Sequence, residues 1–205
     1  MSYDDIYTII DDLKASGSFR YKVYAIAIEI GCYTGLRISE AFALEKNDID
    51  FDNNLINVNK KLVYNALPKN ELYITHQMKS AKSEAVIPLA DPLKKSLIEW
   101  FKINPYQEIV CDEENYYIHP TIFTQYVKRV AAGYGINFYF HQLRHTFATI
   151  LVTNDVDLKT AQELMRHSNI NTTMSIYTHI NDGHKKQVID TIFNTKSVEK
   201  VSKVN

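Results

Sequence analysis

The strongest constraint on the fold is a continuous, largely apolar segment at residues 19–33, followed by Gly35. A segment of this kind predicts a buried helix, and a glycine just beyond it is typical of a helix C-terminus. No apolar run in the chain approaches the ~20 residues of a membrane span. With 205 residues, 45% of them hydrophobic, the chain can bury a substantial core. We therefore expect one domain, with room for at most a small appendage.

Apolar residues recur at helical spacing before and after a central region that alternates like strands. Ser2 is the expected cap of a first helix, which Gly17 ends, and Asp91 with Pro92 begins a helix after the strands. Further helices are predicted at residues 37–46, 120–132, 141–152, 157–166, after Asn171 and at 181–194, and strands at 55–62, 71–77, 84–89 and, briefly, 108–111. The sequence thus predicts an α+β fold, mostly α, with a small three-stranded antiparallel sheet. Residues 1–195 form the domain, and residues 196–205 are expected to be a disordered polar tail.

The charge and cysteine content narrow the class of protein. The net charge of −1 argues weakly against a nucleic-acid-binding protein, but the distribution of charge matters more than its sum. Cys32 and Cys111 lie in apolar surroundings, and the N-terminus lacks a secretory signal, so we expect reduced thiols and a cytosolic protein. The basic residues cluster in a way that predicts one basic face, at Lys60 and Lys61, Lys79 and Lys82, Lys94 and Lys95, Lys128 and Arg129, and Lys185 and Lys186.

One predicted helix carries His141, Arg144 and His145 at positions i, i+3 and i+4. This spacing places all three side chains on one side of the helix. A solvated polar stripe would have the same pattern. Two imidazoles at this spacing can also bind zinc, but Gln142 stands where a zinc protease has glutamate, and an arginine between the imidazoles would repel a dication. We therefore expect no metal site here.

A second arginine, Arg37, follows the glycine turn near Glu40. It could simply pair with Glu40 at the surface. Alternatively, Arg37 could meet Arg144 around an anion, because two planar guanidiniums can hold a phosphodiester. Tyr177 is a candidate nucleophile near His167, although a free phenol has a pKa of about 10 and needs nearby cations or a base to react at neutral pH.

Three stretches resemble the signature motifs of the tyrosine recombinases, the phage and transposon integrase family. They are Thr34-Gly-Leu-Arg37-Ile-Ser-Glu40, His141-Gln-Leu-Arg144-His145-Thr-Phe-Ala-Thr149, and His167-Ser followed by Thr172-Thr-Met-Ser-Ile-Tyr177-Thr-His179. Their order and separations also match, and the resemblance extends over about residues 5–193. It implies the DNA breaking-rejoining fold of the family's catalytic domain. It also implies site-specific DNA recombination without metal, ATP or another cofactor.

The resemblance implies a role for each matching side chain. Arg37 and Arg144 would hold the scissile phosphate, and Tyr177 would attack phosphorus to form a 3′-phosphotyrosyl bond. His141 would assist proton transfer, and His167 would hydrogen-bond the phosphate.

The same resemblance implies supporting roles for other residues. Glu40 would hold the catalytic side chains in place without contacting the phosphate, and His145 is expected to be buried and to assist without taking part directly. The family uses a lysine on a hairpin between its second and third strands to protonate the leaving oxygen. Lys79 matches that pattern better than Lys82, which stays an alternative and is otherwise a DNA contact.

The sequence departs from the family pattern at Arg166, where glycine usually precedes the histidine. We expect this cation to be exposed or to contact DNA. The chain also starts too late for the N-terminal core-binding domain of family members, so it is expected to be a fragment or a short relative. The expected partners are a duplex recombination site and further copies of the chain on DNA, without membrane or nucleotide, in the bacterial cytosol. The alternatives are a non-catalytic DNA-binding regulator derived from an integrase, and a related topoisomerase.

Overall fold

The computed structural model describes residues 1–77 and 84–166, together with Asn171 and Met174. Helices surround one central helix, and two small antiparallel ladders lie in the middle of the chain. In chain order the elements are α1 (Tyr3–Ala15), α2 (Phe19–Thr34), α3 (Ile38–Ala41), β1 (Ile49–Asp50), β2 (Leu55–Val58), β3 (Lys61–Val63), β4 (Tyr73–Thr75), β5 (Ala85–Pro88), α4 (Asp91–Ile103), α5 (Pro120–Ala132), α6 (Phe140–Thr153) and α7 (Leu158–Met165). The predicted fold class, mostly helical with a small antiparallel sheet, is confirmed.

Helix α2 is the centre of the core, as the apolar segment predicts. Eleven of its residues are buried, and α1, α4 and α6 all pack against it. Its one buried acid, Glu29, is held by Lys14 at 2.6 Å and by Ser96 at 3.0 Å, so the charge has partners from two neighbouring helices. The helix ends at Gly35, which has the left-handed conformation with φ 61°.

Helix α1 follows its predicted pattern closely. The Ser2 hydroxyl accepts from the Asp5 N–H, and the Asp5 carboxylate accepts from the Ser2 N–H, which is a complete capping box. The apolar face of α1 is buried against α2. Local sequence signals are sufficient for this helix because its cap and its apolar stripe agree.

The third predicted helix, at residues 37–46, is wrong in length. Helix α3 has only four residues, and a 3-10 turn follows at Lys46–Asp48. Phe42, Ala43 and Leu44 are all buried. The predicted helical stripe was therefore wrong for this segment, because consecutive residues are buried here and not only one face.

Two strands of the three-stranded sheet, β2 and β5, lie in predicted runs, and the third, β1, was not predicted. Strand β2 pairs with β1 and with β5, so that Ile56 lies between Ile49 and Ile87. The predicted strand at residues 55–62 is two strands, since β3 pairs with β4 in a separate ladder. Strands β4 and β5, which lie in the runs predicted at 71–77 and 84–89, therefore belong to different ladders.

Lys60 marks the break between β2 and β3. Its Nζ lies 2.9 Å from carboxylate oxygens of both Glu45 and Asp48, and its side chain is 9% exposed. A buried ammonium requires such partners, and the pair of acids fixes the chain at this point. The expectation that Lys60 contributes to a basic surface is wrong.

Residues 104–119 connect α4 to α5, and their strand-like pairing is limited to two isolated β-bridges. Glu108 bridges Glu45, and Cys111 bridges Tyr117, so a strand predicted at 108–111 is not present in this described segment. Cys32 and Cys111 are both free and buried, as expected. The helices predicted after Asn171 and at 181–194, and the tail at 196–205, lie outside the described residues. Within the described part of the chain, no helix is long and apolar enough to cross a membrane.

We predict that Gly35→Ala destabilises the protein more than Gly17→Ala. Both glycines have positive φ, so each alanine acquires backbone strain of about 1–2 kcal/mol. A Cβ on Gly35 would also lie 2.6 Å from the ring of Phe147, which adds an overpacking cost of about 1–3 kcal/mol, whereas a Cβ on Gly17 meets nothing within 4 Å. Urea unfolding of both variants measures the difference, and equal losses of unfolding free energy would contradict this packing.

Candidate active site

Three separate segments meet at one cluster of charged side chains. They are the turn after α2 with the start of α3, the first half of α6, and the C-terminal end of α7. The first segment contributes Arg37 and Glu40, α6 contributes Arg144, and the end of α7 contributes Arg166. We refer to these four residues as the guanidinium cluster.

Close packing of α6 on α2 places Arg144 in this cluster. A Cβ on Gly31 of α2 would lie 2.7 Å from both Leu143 and Phe140, so the glycine is what allows the two helices to approach so closely. Arg144 is next to Leu143 and is itself 4% exposed. Its Nη1 donates to the Gly35 carbonyl at 2.5 Å, and its Nη2 donates to the Met165 carbonyl. These bonds fix the guanidinium between the ends of α2 and α7.

Glu40 holds Arg37 at the start of α3. Glu40 Oε2 accepts from the backbone N–H of Arg37 at 2.9 Å, and Oε1 accepts from Arg37 Nη1, also at 2.9 Å. The glutamate is buried, whereas the Arg37 side chain is 45% exposed. The pairing of Arg37 with Glu40 that the sequence suggested is therefore present, and it leaves Arg37 open to solvent.

Arg166 is not a surface residue, and the expectation that it is exposed is wrong. The Asp157 side chain caps the start of α7 by accepting from two N–H groups, and Arg166 is the C-cap of α7, in the left-handed conformation with φ 51°. The Arg166 side chain is 2% exposed, and its Nη2 donates to Glu40 Oε2 at 2.6 Å. A side chain in this position is too buried to contact DNA directly in this conformation.

The charges of the cluster shift its own pKa values. Burial raises the pKa of Glu40, but the charges of Arg166 and Arg37, together with the Arg37 N–H, outweigh it, and the net pKa lies below its ordinary value. Burial, followed by the charges of Arg37 and Arg166, lowers the pKa of Arg144 to about 10. Arg144 therefore stays charged at neutral pH. Three cations face one carboxylate in the described part of the site, so the cluster has an excess of positive charge suited to an anion.

The two histidines of α6 lie beside this cluster. Their rings contact edge to face with centroids 4.6 Å apart, and both residues are exposed. The expectation that His145 is buried is therefore wrong: it follows Arg144 on the outer side of α6, one turn from His141. Burial of part of the ring, with His145, Arg144 and Arg37 nearby, lowers the pKa of His141. A neutral imidazole can accept a proton.

The structure brings together several of the predicted site residues. Arg37, Glu40, Arg144 and His141 are gathered from segments more than 100 residues apart in the chain. The other predicted residues, Lys79, Lys82, His167 and Tyr177, lie outside the described residues.

Two features of the site were not predicted. The first is the pair of backbone carbonyls, of Gly35 and Met165, that bind Arg144. No sequence signal marks a carbonyl acceptor. The second is the ion pair between Arg166 and Glu40. The sequence did contain a signal for this ion pair, because Arg166 stands where the tyrosine recombinase motif usually has glycine.

The chain folds into a mainly helical domain, and three guanidiniums gather around one carboxylate in its described part. The chain matches the model of the phage integrase family over residues 1–184, and it belongs to that family. The resemblance of the three sequence motifs to this family is therefore confirmed.

The chain is also similar to curated relatives in sequence and to a solved structure in fold. The chain is 27% identical over 187 residues to a tyrosine recombinase of Thermosipho africanus, covering 90% of this chain and 58% of the relative. It is 32% identical over 167 residues to the tyrosine recombinase XerC of Pediococcus pentosaceus, covering 82% and 52%. The chain thus spans about half the length of the curated relatives it matches. The structure of the Tn1549 transposon integrase with circular intermediate DNA has a similar fold, with a TM-score of 0.77 at 23% identity, covering 94% of this chain and 66% of that one.

We predict that the pKa of His141 lies below 6.5 in the folded protein. The unfolded chain then binds the proton more readily, so the stability that His141 contributes is present above about pH 6.5 and is lost as the pH falls towards the folded pKa. An NMR titration of the imidazole measures the pKa directly. Urea unfolding against pH should show a slope in this range that His141→Gln reduces. A folded pKa at or above 6.5 would contradict the cationic surroundings.

Proposed function

We propose that this chain is the catalytic part of a site-specific DNA recombinase, which cuts and rejoins strands through a 3′-phosphotyrosyl bond to Tyr177. The observation that carries the proposal is the guanidinium cluster. Arg37 and Arg144 are distant in sequence, yet Arg37 lies in the turn after α2, where Glu40 binds it, and Arg144 binds the Gly35 carbonyl of the same turn. Such an arrangement favours an anion that each arginine alone would bind weakly.

In this proposal the two arginines bind the scissile phosphate. A guanidinium has five N–H donors, so the two bonds that orient Arg144 do not exhaust it. Exposed Arg37 would contact the phosphate from the solvent side. As Tyr177 attacks phosphorus, negative charge grows on the non-bridging oxygens, and each fixed donor stabilises that charge by about 3 kcal/mol.

Protons would be moved by two further groups. The lowered pKa of His141 favours the neutral ring, which can take the proton from the phenol of Tyr177 as the P–O bond forms. The departing 5′-oxygen would take a proton from Lys79. The phosphotyrosyl bond keeps the energy of the broken phosphodiester, so the reverse attack by a 5′-hydroxyl rejoins a strand without a nucleotide cofactor. His167 would donate a hydrogen bond to the phosphate.

The proposed partner is duplex DNA carrying a recombination site. Phosphate contacts dominate such binding, so affinity should fall steeply with salt concentration. We also propose that several copies act together, because exchange between two duplexes requires a nucleophile for each strand that is cut. The bacterial cytosol is the proposed location, and the two free, buried thiols support it.

We predict that Tyr177→Phe abolishes covalent protein–DNA adducts. The probe is a library of nicked duplexes with randomised sequence, in which the fragment beyond the cut diffuses away and prevents rejoining. Adducts that survive denaturation in detergent are recovered and sequenced. Tyr73→Phe, a change at an exposed tyrosine of β4, is the matched control and should leave adduct formation intact. Adducts that persist in Tyr177→Phe would overturn the assignment of the nucleophile, and a wild-type chain that binds DNA without forming adducts would favour the regulator alternative.

We predict that Lys79→Ala loses cleavage and that a sulfur leaving group restores it. Replacing the bridging 5′-oxygen by sulfur gives a thiol leaving group with a pKa of about 8.5, which departs without a proton donor. Lys82→Ala should cleave the oxygen substrate normally. If rescue by sulfur occurs instead in Lys82→Ala, then Lys82 is the acid. No rescue of either variant would remove both lysines from that role.

A further inference from the structure

Arg166 occupies a backbone position that disfavours it. It ends α7 with φ 51° and ψ 41°, the left-handed region in which a side chain with a Cβ is strained and glycine is not. An arginine at this position therefore costs stability relative to glycine unless its side chain forms a compensating interaction.

The environment of the side chain adds a second cost. The Arg166 side chain is 2% exposed, and its Nη2 donates to Glu40. Among the described residues, Arg166 Nε and Nη1 are buried without an acceptor. A buried cation with unpaired donors is unfavourable, so the bond to Glu40 is the one described interaction that accounts for this residue.

Glu40 joins Arg166 to Arg37. Its Oε2 accepts from both Arg166 Nη2 and the Arg37 backbone N–H, and its Oε1 accepts from Arg37 Nη1. The first two bonds fix the rotation of the carboxylate. The remaining oxygen is then directed at the exposed guanidinium of Arg37. Without Arg166, Glu40 would keep its bonds to Arg37 but would lose the anchor on its other side.

We propose that Arg166 is a positioning residue, which holds the Glu40 carboxylate in the orientation that presents Arg37 to the DNA phosphate. The proposal rests on the function proposed above. Arg166 acts through Glu40 and not by its own contact with DNA, because its donors are buried while the Arg37 side chain is 45% exposed.

The test compares Arg166→Gly, Arg166→Lys and Ala66→Gly in the full chain. The readouts are the single-turnover rate of adduct formation on the sequence recovered from the nicked library, and the dissociation constant for that duplex. Arg166→Gly relieves the backbone strain, so a residue with a merely structural role would tolerate it. Ala66 has φ 59° at an exposed position, and Ala66→Gly controls for the relief of strain alone.

We expect Arg166→Gly to lower the rate of adduct formation by about 10- to 100-fold, as for a reacting group held in the wrong position, with little change in the dissociation constant. Arg166→Lys keeps a donor for Glu40 and should recover part of the rate. Ala66→Gly should match the wild type. Arg166→Gly with the wild-type rate would overturn the proposal.

A double-mutant cycle identifies the route of the effect. In a Glu40→Gln background, Arg166→Gly should cause little further loss if Arg166 acts through Glu40. Full additivity of the two losses would overturn the proposal and indicate a direct role for Arg166. If Arg166→Gly does not fold, Arg166→Lys takes its place in the cycle and is measured alone and together with Glu40→Gln. A wild-type chain that forms no adduct contradicts the proposed function instead, and so the two failures are distinguishable.

Discussion

The carboxylate of Glu40 is the interaction on which the arrangement of the site depends. Its two oxygens bind Arg37 twice and Arg166 once, and it is the one acid in a described cluster of three guanidiniums. Two of these guanidiniums, of Arg144 and Arg166, are buried, and like charges that are close together repel one another unless a counter-ion lies nearby. The remaining positive charge makes the cluster receptive to an anion. Glu40 therefore both pairs with Arg37 and Arg166 and leaves the described cluster with a net positive charge.

Helix packing sets the distances within the cluster. Gly31 allows α6 to lie directly against α2, and Gly35 turns the chain under the ring of Phe147. Arg144 then reaches the carbonyl of Gly35, two residues before Arg37. A side chain at either glycine would separate the helices and with them the two arginines. The packing of the core therefore also sets the geometry of the site, because residues that contact the central helix determine where the guanidiniums lie.

Local signals predicted the elements well where the cap and the apolar stripe agreed, as in α1 and α2. They failed where burial changed the backbone. The third helix stops at Ala41, where three further buried residues continue outside the helix. One predicted strand divides at Lys60, whose ammonium is held by two acids. Neither the pairing of β3 with β4 nor the exposure of His145 can be read from spacing, because both depend on which elements lie next to them.

The sequence by itself determined the family, the mainly helical class and the identity of the candidate residues, because motif order and periodicity are local properties of the chain. That Arg37 and Arg144 lie close together was a hypothesis from the sequence. The tertiary structure places Arg37 in the turn after α2, where Glu40 binds it, and Arg144 on the Gly35 carbonyl of that turn. The structure also decided that Arg166 is buried on Glu40. The sequence does not distinguish an exposed arginine from a buried one. Only the fold determines which charges are removed from water and therefore need an ion-pair partner.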